Sequence, residues 1–196
     1  MRRLVASLMT LALVSFVPLD AQQQRPASPE GIASTQVNGR WIDIVHGKPI
    51  LRGRTNVFGA GADYGKTLFD GGTVWRAGAN VLTRLRTEVP LALGGKGIPP
   101  GEYTLFVDMK SRTDWTLIVS SQPAQAADDV PTRSKVWEAF VYAPEKDVAR
   151  AQMNVERLPY SMEQLTWAFT DVTGAAGTLR LMWDSVMASV AFTVAR

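Results

Sequence analysis

The sequence predicts a mainly β domain, an antiparallel two-sheet sandwich with little helix, a closed barrel being the alternative. Three observations carry this expectation. Apolar residues recur with period two in run after run, the mark of strands with one buried face. The links between runs are short and hold Gly, Asn and Pro. No stretch of helical period separates the runs, so neighbouring strands pair antiparallel without βαβ crossovers.

The elements follow in order. Asn38-Gly39 is a hairpin-turn pair between Gln36-Val37 and Trp41 to Val45. Val74 to Val89 suits one bent strand, or two strands meeting at Gly78, whose missing side chain permits a bend. Pro90 opens a short segment that ends at the turn signal Gly94-Gly95. Tyr103, Leu105 and Val107 share one face, with Glu102, Thr104 and Asp108 on the other. Trp115, Leu117 and Val119 repeat the pattern after the polar link Lys110-Ser111-Arg112-Thr113, which makes a hairpin. Leu165, Trp167 and Phe169 alternate again, as do Leu179, Leu181 and Trp183, and Val186, Ala188, Val190, Phe192 and Val194 close the chain. Only Ser134 to Tyr142 suits a short helix. Trp115, Trp167 and Trp183 stand in phase with aliphatic neighbours and read as core, whereas Trp41, Trp75 and Trp137 are free to be exposed.

The first residues read as an export signal. Arg2 and Arg3 precede an uncharged, mostly apolar run from Leu4 to Val17, then Pro18 and a small residue, Ala21, before Gln22. The run is too short to span a bilayer, so residues 1–21 are expected to be a cleavable secretory signal. Residues 22–33, rich in Gln, Pro and Ser, read as a flexible tether, and residues 34–196 as one domain. The expected mature chain is soluble, not membrane-embedded, and periplasmic or extracellular. Cleavage removes Arg2, Arg3 and Asp20, leaving 175 residues with 19 basic against 17 acidic, a charge of +2. Such a balance gives no reason to expect a nucleic-acid partner. With no Cys, thiol nucleophiles and thiolate metal sites are excluded, and packing alone must hold the fold.

Several motifs dissolve on inspection. Ala60 to Thr67 fits a relaxed phosphate-loop pattern, but such a loop needs a strand before it and a helix after it, and Leu68-Phe69-Asp70-Gly71-Gly72 does not start a stable helix. His46 is the only histidine; no His-Glu-x-x-His helix and no Gly-x-Ser-x-Gly elbow accompanies it. In strand phase it sides with Ile42 and Ile44, which marks it as an inward, structural imidazole. No metal and no cofactor are expected. Carboxylates are scattered through the loops, with no spacing that sets two of them opposite each other for glycoside hydrolysis.

The block from His46 to Asn80 is unusual, concentrating cations, glycines and amides where strand signal is weak. His46, Lys48, Arg54, Tyr64, Lys66, Trp75, Arg76 and Asn80 are its candidate binding residues. Loops on a rigid β scaffold commonly carry sites. The competing reading is that the Arg and Asn side chains satisfy the backbone of long irregular loops. Arg76 and Asn80 are then a brace if the chain bends at Gly78.

These residues resemble the bacterial domain of unknown function 2911 family. Its motifs are matched in order by His46-Gly47-Lys48-Pro49, Arg52-Gly53-Arg54, Phe58-Gly59, Tyr64-Gly65-Lys66, Trp75 to Asn80, Pro99 to Tyr103, and Asp114-Trp115-Thr116. The resemblance runs from about Ser34 to Val194, and Trp-Arg-x-Gly-Ala-Asn is its most specific part. Many members carry Glu after that Asn, where this chain has Val81, and Tyr where this chain has His46. The resemblance implies an exported, β-rich bacterial protein and supplies no activity. The leading expectation is therefore a non-enzymatic protein that binds a small molecule or an envelope partner through residues 46–80. The alternatives are a carboxylate-dependent hydrolase of envelope or extracellular polymers, assisted by Arg76 and His46, and a structural envelope subunit.

Overall fold

The computed structural model describes residues 26–69, 73–123 and 142–194. The expected signal, Trp137 and all but the last residue of the expected Ser134–Tyr142 helix lie outside them. Nine strands follow in chain order: β1 (Glu30–Val37), β2 (Arg40–Gly47), β3 (Thr83–Thr87), β4 (Leu91–Leu93), β5 (Lys96–Ile98), β6 (Gly101–Met109), β7 (Trp115–Ser120), β8 (Asp147–Thr170) and β9 (Ala176–Val194). They form one antiparallel sheet in the order β1-β2-β3-β6-β7-β8-β9-β4-β5. It is not closed into a barrel, since β1 and β5 end the order without pairing. β1 begins at Glu30, inside the stretch expected to be tether.

Local chemistry explains most of the pairing. Asn38 (φ 52°) and Gly39 (φ 77°) are both left-handed, the turn that matches strand twist, and Val37 faces Arg40 across it. Gly94 (φ 55°) and Gly95 (φ 77°) do the same between β4 and β5. The five-residue link 110–114 joins β6 to β7, with Met109 opposite Trp115.

β8 is the exception to short strands. Its 24 residues would span ~80 Å if straight, about twice the diameter of a domain this size. It therefore changes partner: up to Met153 it pairs with β7, and from Asn154 with β9. Register shifts fall between Arg157 and Met162 and between Met162 and Thr166. Pro159, which has no N–H to give a ladder, sits in the first of them. β9 answers with a slip of its own. Its buried positions run Gly177, Leu179, Leu181, Trp183 and then Ala188, Val190, Phe192, so the inward phase moves from odd to even numbers. Asp184, between the two phases, is left-handed at φ 51°, as a bulge residue is.

One main core takes side chains from every strand, including Ile42, Leu85, Leu105, Leu117, Leu91 and Ile98. A smaller one on the other side of the central strands joins Val74, Leu82, Phe106 and Ile118. Thr104 lies on that second side and is buried, contrary to the polar face expected there; its hydroxyl donates to the Gln122 carbonyl at 2.6 Å.

The Val74–Val89 stretch does bend. Trp75 bridges Val107 by two backbone bonds of 2.8 Å, residues 77–81 form bends, and strand resumes at Thr83. The left-handed residues of the bend are Ala77 (φ 54°) and Asn80 (φ 66°), not Gly78. The Ala77 carbonyl pins it, accepting the Trp167 indole N–H at 3.0 Å and the Thr83 hydroxyl at 3.1 Å. Glycine is needed instead for close approach: a Cβ at Gly47 would collide with the Ala79 carbonyl, and one at Gly78 would lie 2.7 Å from the Thr83 hydroxyl. Gly47→Ala should therefore cost about 1–3 kcal/mol of stability in denaturant melts, the range of overpacking. Gly97→Ala, which meets nothing within 4 Å, is the control expected to stay near wild type.

Candidate functional site

The His46–Asn80 block folds over the aromatic end of the core, and Phe58 anchors it. That ring lies 5.2 Å from Trp115, 6.0 Å from Trp75 and 5.9 Å from Trp183, centroid to centroid. Trp75 and Trp183 stack at 6.2 Å and 19°. Trp75 is only 2% exposed, so it is core and not the exposed ring the sequence suggested; its bridge to Val107 fixes it under the loop. Trp41 is 46% exposed, on the outward face of β2.

Two clefts open on either side of this cluster. The smaller, about 210 Å³, is lined by Arg54, Trp75, Arg76, Thr67, Leu68 and Trp183 among others. Arg54 donates from Nε to the Leu51 carbonyl at 3.1 Å and from a terminal nitrogen to the Ile50 carbonyl at 2.8 Å. Its guanidinium carbon sits 5.7 Å from the Trp183 ring centroid, a cation–π distance. Arg54 thus braces its own loop. Arg76 shares this cleft.

The larger cleft, about 460 Å³, lies between residues 55–64, the β6–β7 hairpin, residues 155–157 of β8 and residues 184–186 of β9. Phe58, Tyr64, Val155 and Val186 supply apolar surface; Thr55, Asn56, Arg112, Glu156, Arg157 and Asp184 supply polar groups. The Trp115 indole N–H donates to the Tyr64 hydroxyl at 3.1 Å and to the Ser111 carbonyl at 3.0 Å, which ties loop to hairpin. Burial raises the Tyr64 pKa; the Trp115 bond and the Arg112 charge act against it.

The remaining candidates disperse. Lys66 is exposed in a one-turn helix (Lys66–Phe69), a turn the sequence did not predict, and pairs with Asp63 at 3.0 Å. No strand leads into that turn, so the phosphate-loop reading stays excluded. Lys48 lies across Gly31, where the missing side chain leaves room for its stem, and its N–H donates to the Pro29 carbonyl. Asn80 donates to the Ser28 carbonyl at 3.0 Å, across the chain and not along its own strand toward Arg76. Of Arg54, Lys66, Arg76 and Asn80, only Arg54 and Arg76 meet in one cleft.

Arg112, Glu156, Arg157 and Asp184 were missed as site residues. Arg112 looked like part of a polar turn. The one signal for the others was the break in alternation between Trp183 and Val186. Among the described residues, no three of His, Cys, Asp and Glu gather as a metal site.

The fold and its loop-built clefts define a mainly β domain with two clefts beside its aromatic cluster. The family Protein of unknown function (DUF2911) matches residues 28–192, and the chain belongs to it. No curated protein and no solved structure matches significantly.

His46 is 2% exposed, beside Ile42 and Ile44 in the core. Neither ring nitrogen makes a hydrogen bond of good geometry, although backbone groups at Ile44 and Leu165 favour the charged form. Burial outweighs them, and with the Lys48 charge it pushes the pKa down from 6.5 to about 4. A base with a depressed folded pKa supports the fold when neutral. Its contribution is full above pH 6.5 and is lost as pH falls toward 4, about 3 kcal/mol in all. Denaturant melts at pH 7 and pH 4 should show this loss in wild type and not in His46→Gln. A wild-type-minus-variant difference that stays flat with pH would overturn it.

Proposed function

We propose that the chain is an exported, non-enzymatic ligand-binding β domain, with its ligand in the larger cleft. The observation that carries this reading is the cleft itself: about 460 Å³, within the range of small-molecule sites, with aromatic and aliphatic floor and converging polar groups. The leader-like residues 1–21 support export. The two-layer sandwich remains part of the proposal. It is supported by one core that takes Ile42 and Leu85 from one end of the strand order and Leu91 and Ile98 from the other.

A hydrolase is the second reading, favoured by Glu156 and Asp184 sharing the cleft. It loses the two assistants expected for it, because His46 is buried in the core and Arg76 lines the other cleft.

The test is a fragment screen by NMR on wild type and on Thr113→Trp, whose indole would fill the cleft from the exposed hairpin. Fragments should bind wild type and be lost from the variant, with the melting temperature held. Binding that is indifferent to the filled cleft, or no binding at all, overturns the proposal.

A further inference from the structure

The larger cleft carries charge of both signs. Arg112 comes from the β6–β7 hairpin, Glu156 and Arg157 from β8, and Asp184 from β9. Among the described residues none of the four forms an ion pair, with one another or with a neighbour; the pairs that do form lie elsewhere. Opposite charges facing one cleft attract, and free side chains would close on each other where reach allowed. Here they project from three separate elements, Arg112, Glu156 and Arg157 exposed, and no opposite pair among them closes to ion-pair distance. The gap between them is one that a dipolar molecule can bridge.

Resting on the reading of this cleft as the ligand site, we infer that it takes a zwitterion of the amino-acid type, a free amino acid or a short peptide. The carboxylate of the ligand sits on Arg112 and Arg157, and its ammonium on Glu156 and Asp184. Guanidinium is the side chain whose planar fork matches a carboxylate, and neither of these two is spent on the protein's own backbone as Arg54 is. Each acid retains acceptor capacity. Glu156 accepts one bond, from the Asn154 amide at 2.7 Å, and Asp184 one, from the Ser161 hydroxyl at 3.3 Å. A carboxylate offers about four lone-pair sites, so three ammonium hydrogens can be shared between the two. A purely anionic ligand would face two repelling carboxylates, and a purely cationic one two repelling guanidiniums. A zwitterion alone satisfies both halves. Phe58, Tyr64, Val155 and Val186 between them favour an apolar side chain.

Calorimetric titration with the dipeptide Ala-Phe, its N-acetyl form and its C-terminal amide tests this, with free phenylalanine to separate amino acid from peptide. Ala-Phe or phenylalanine should bind, and each cap should weaken binding about ten-fold, the worth of one charge-assisted bond. Arg157→Gln, which leaves Arg112, should shrink the penalty of the amide and leave that of the acetyl; Asp184→Asn, which leaves Glu156, should do the reverse. Asn tolerates the left-handed conformation at 184, so that variant keeps the bulge. Because the readout is which cap matters in which variant, a general loss of folding cannot imitate it. Equal affinity for capped and free forms overturns the inference. So does failure of both zwitterions while fragments still bind and are displaced by Thr113→Trp, which leaves the cleft a ligand site of other chemistry. Failure of fragments and zwitterions alike overturns both readings.

Discussion

Phe58 set among Trp75, Trp115 and Trp183 is the contact on which the arrangement of loops depends. The segment from Ile50 to Phe69 has almost no ladder bonding of its own, apart from the bridge of Ile50 to Gln164. A loop that long could take many paths over the sheet. Burying one large ring against three indoles selects one of them, because edge and tilted aromatic contacts specify orientation as well as contact. Each indole comes from a different place: the Val107 bridge, β7 and β9. The ring therefore ties the loop to three parts of the sheet at once; it lines the larger cleft, and its partners Trp75 and Trp183 line the smaller.

The second constraint is the length of β8 and β9. Two strands of 24 and 19 residues cannot lie straight in a domain this small, and the bulges that bend them also disturb the face each residue shows. Where β9 changes phase, Asp184 leaves the regular alternation and lines the larger cleft. Just before β8 shifts register, Glu156 and Arg157, which alternation would send to opposite faces, both line it. Three of the four charges in the cleft, Glu156, Arg157 and Asp184, thus come from long strands folded around a compact core.

Much of the strand architecture was legible because alternation and turn chemistry are local. Asn38-Gly39 and Gly94-Gly95 were read as turns from residue type, and both carry the left-handed angles those types permit. What was illegible depended on partners distant in sequence. Thr104 looked outward by alternation, yet a second small core covers its face with Val74 and Leu82. Trp75 looked exposable because it is not in phase with a run of aliphatic residues, while its burial comes from Val107 and Trp183. The same holds for the site. Composition singled out residues 46–80, and Tyr64 does line the larger cleft, but the charges opposite it come from positions 112, 156, 157 and 184. No spacing rule connects those numbers to 64. Only the hairpin bond from Trp115 to Tyr64 and the bulge at Asp184 bring them together.

Several left-handed residues border the larger cleft and its loop. Arg52, Gly53, Asn56, Gly59, Gly61 and Gly65 lie in the loop, and Asp184 stands across the larger cleft. Such conformations cost little at Gly and more at the others, and persist only where surrounding contacts over-determine them. Here the aromatic anchor and the Trp115–Tyr64 bond supply that support on the loop side, and Ser161 holds the Asp184 carboxylate on the other. Arg54 shows what the loop does with a cation it needs for itself: its Nε and a terminal nitrogen close on carbonyls within four residues, and its face lies on Trp183. Arg112 and Arg157 are placed differently, on the hairpin and the bulge, with no such closure. The arginines thus divide by geometry: Arg54 on the loop stabilises its path, and Arg112 and Arg157 line the larger cleft opposite it.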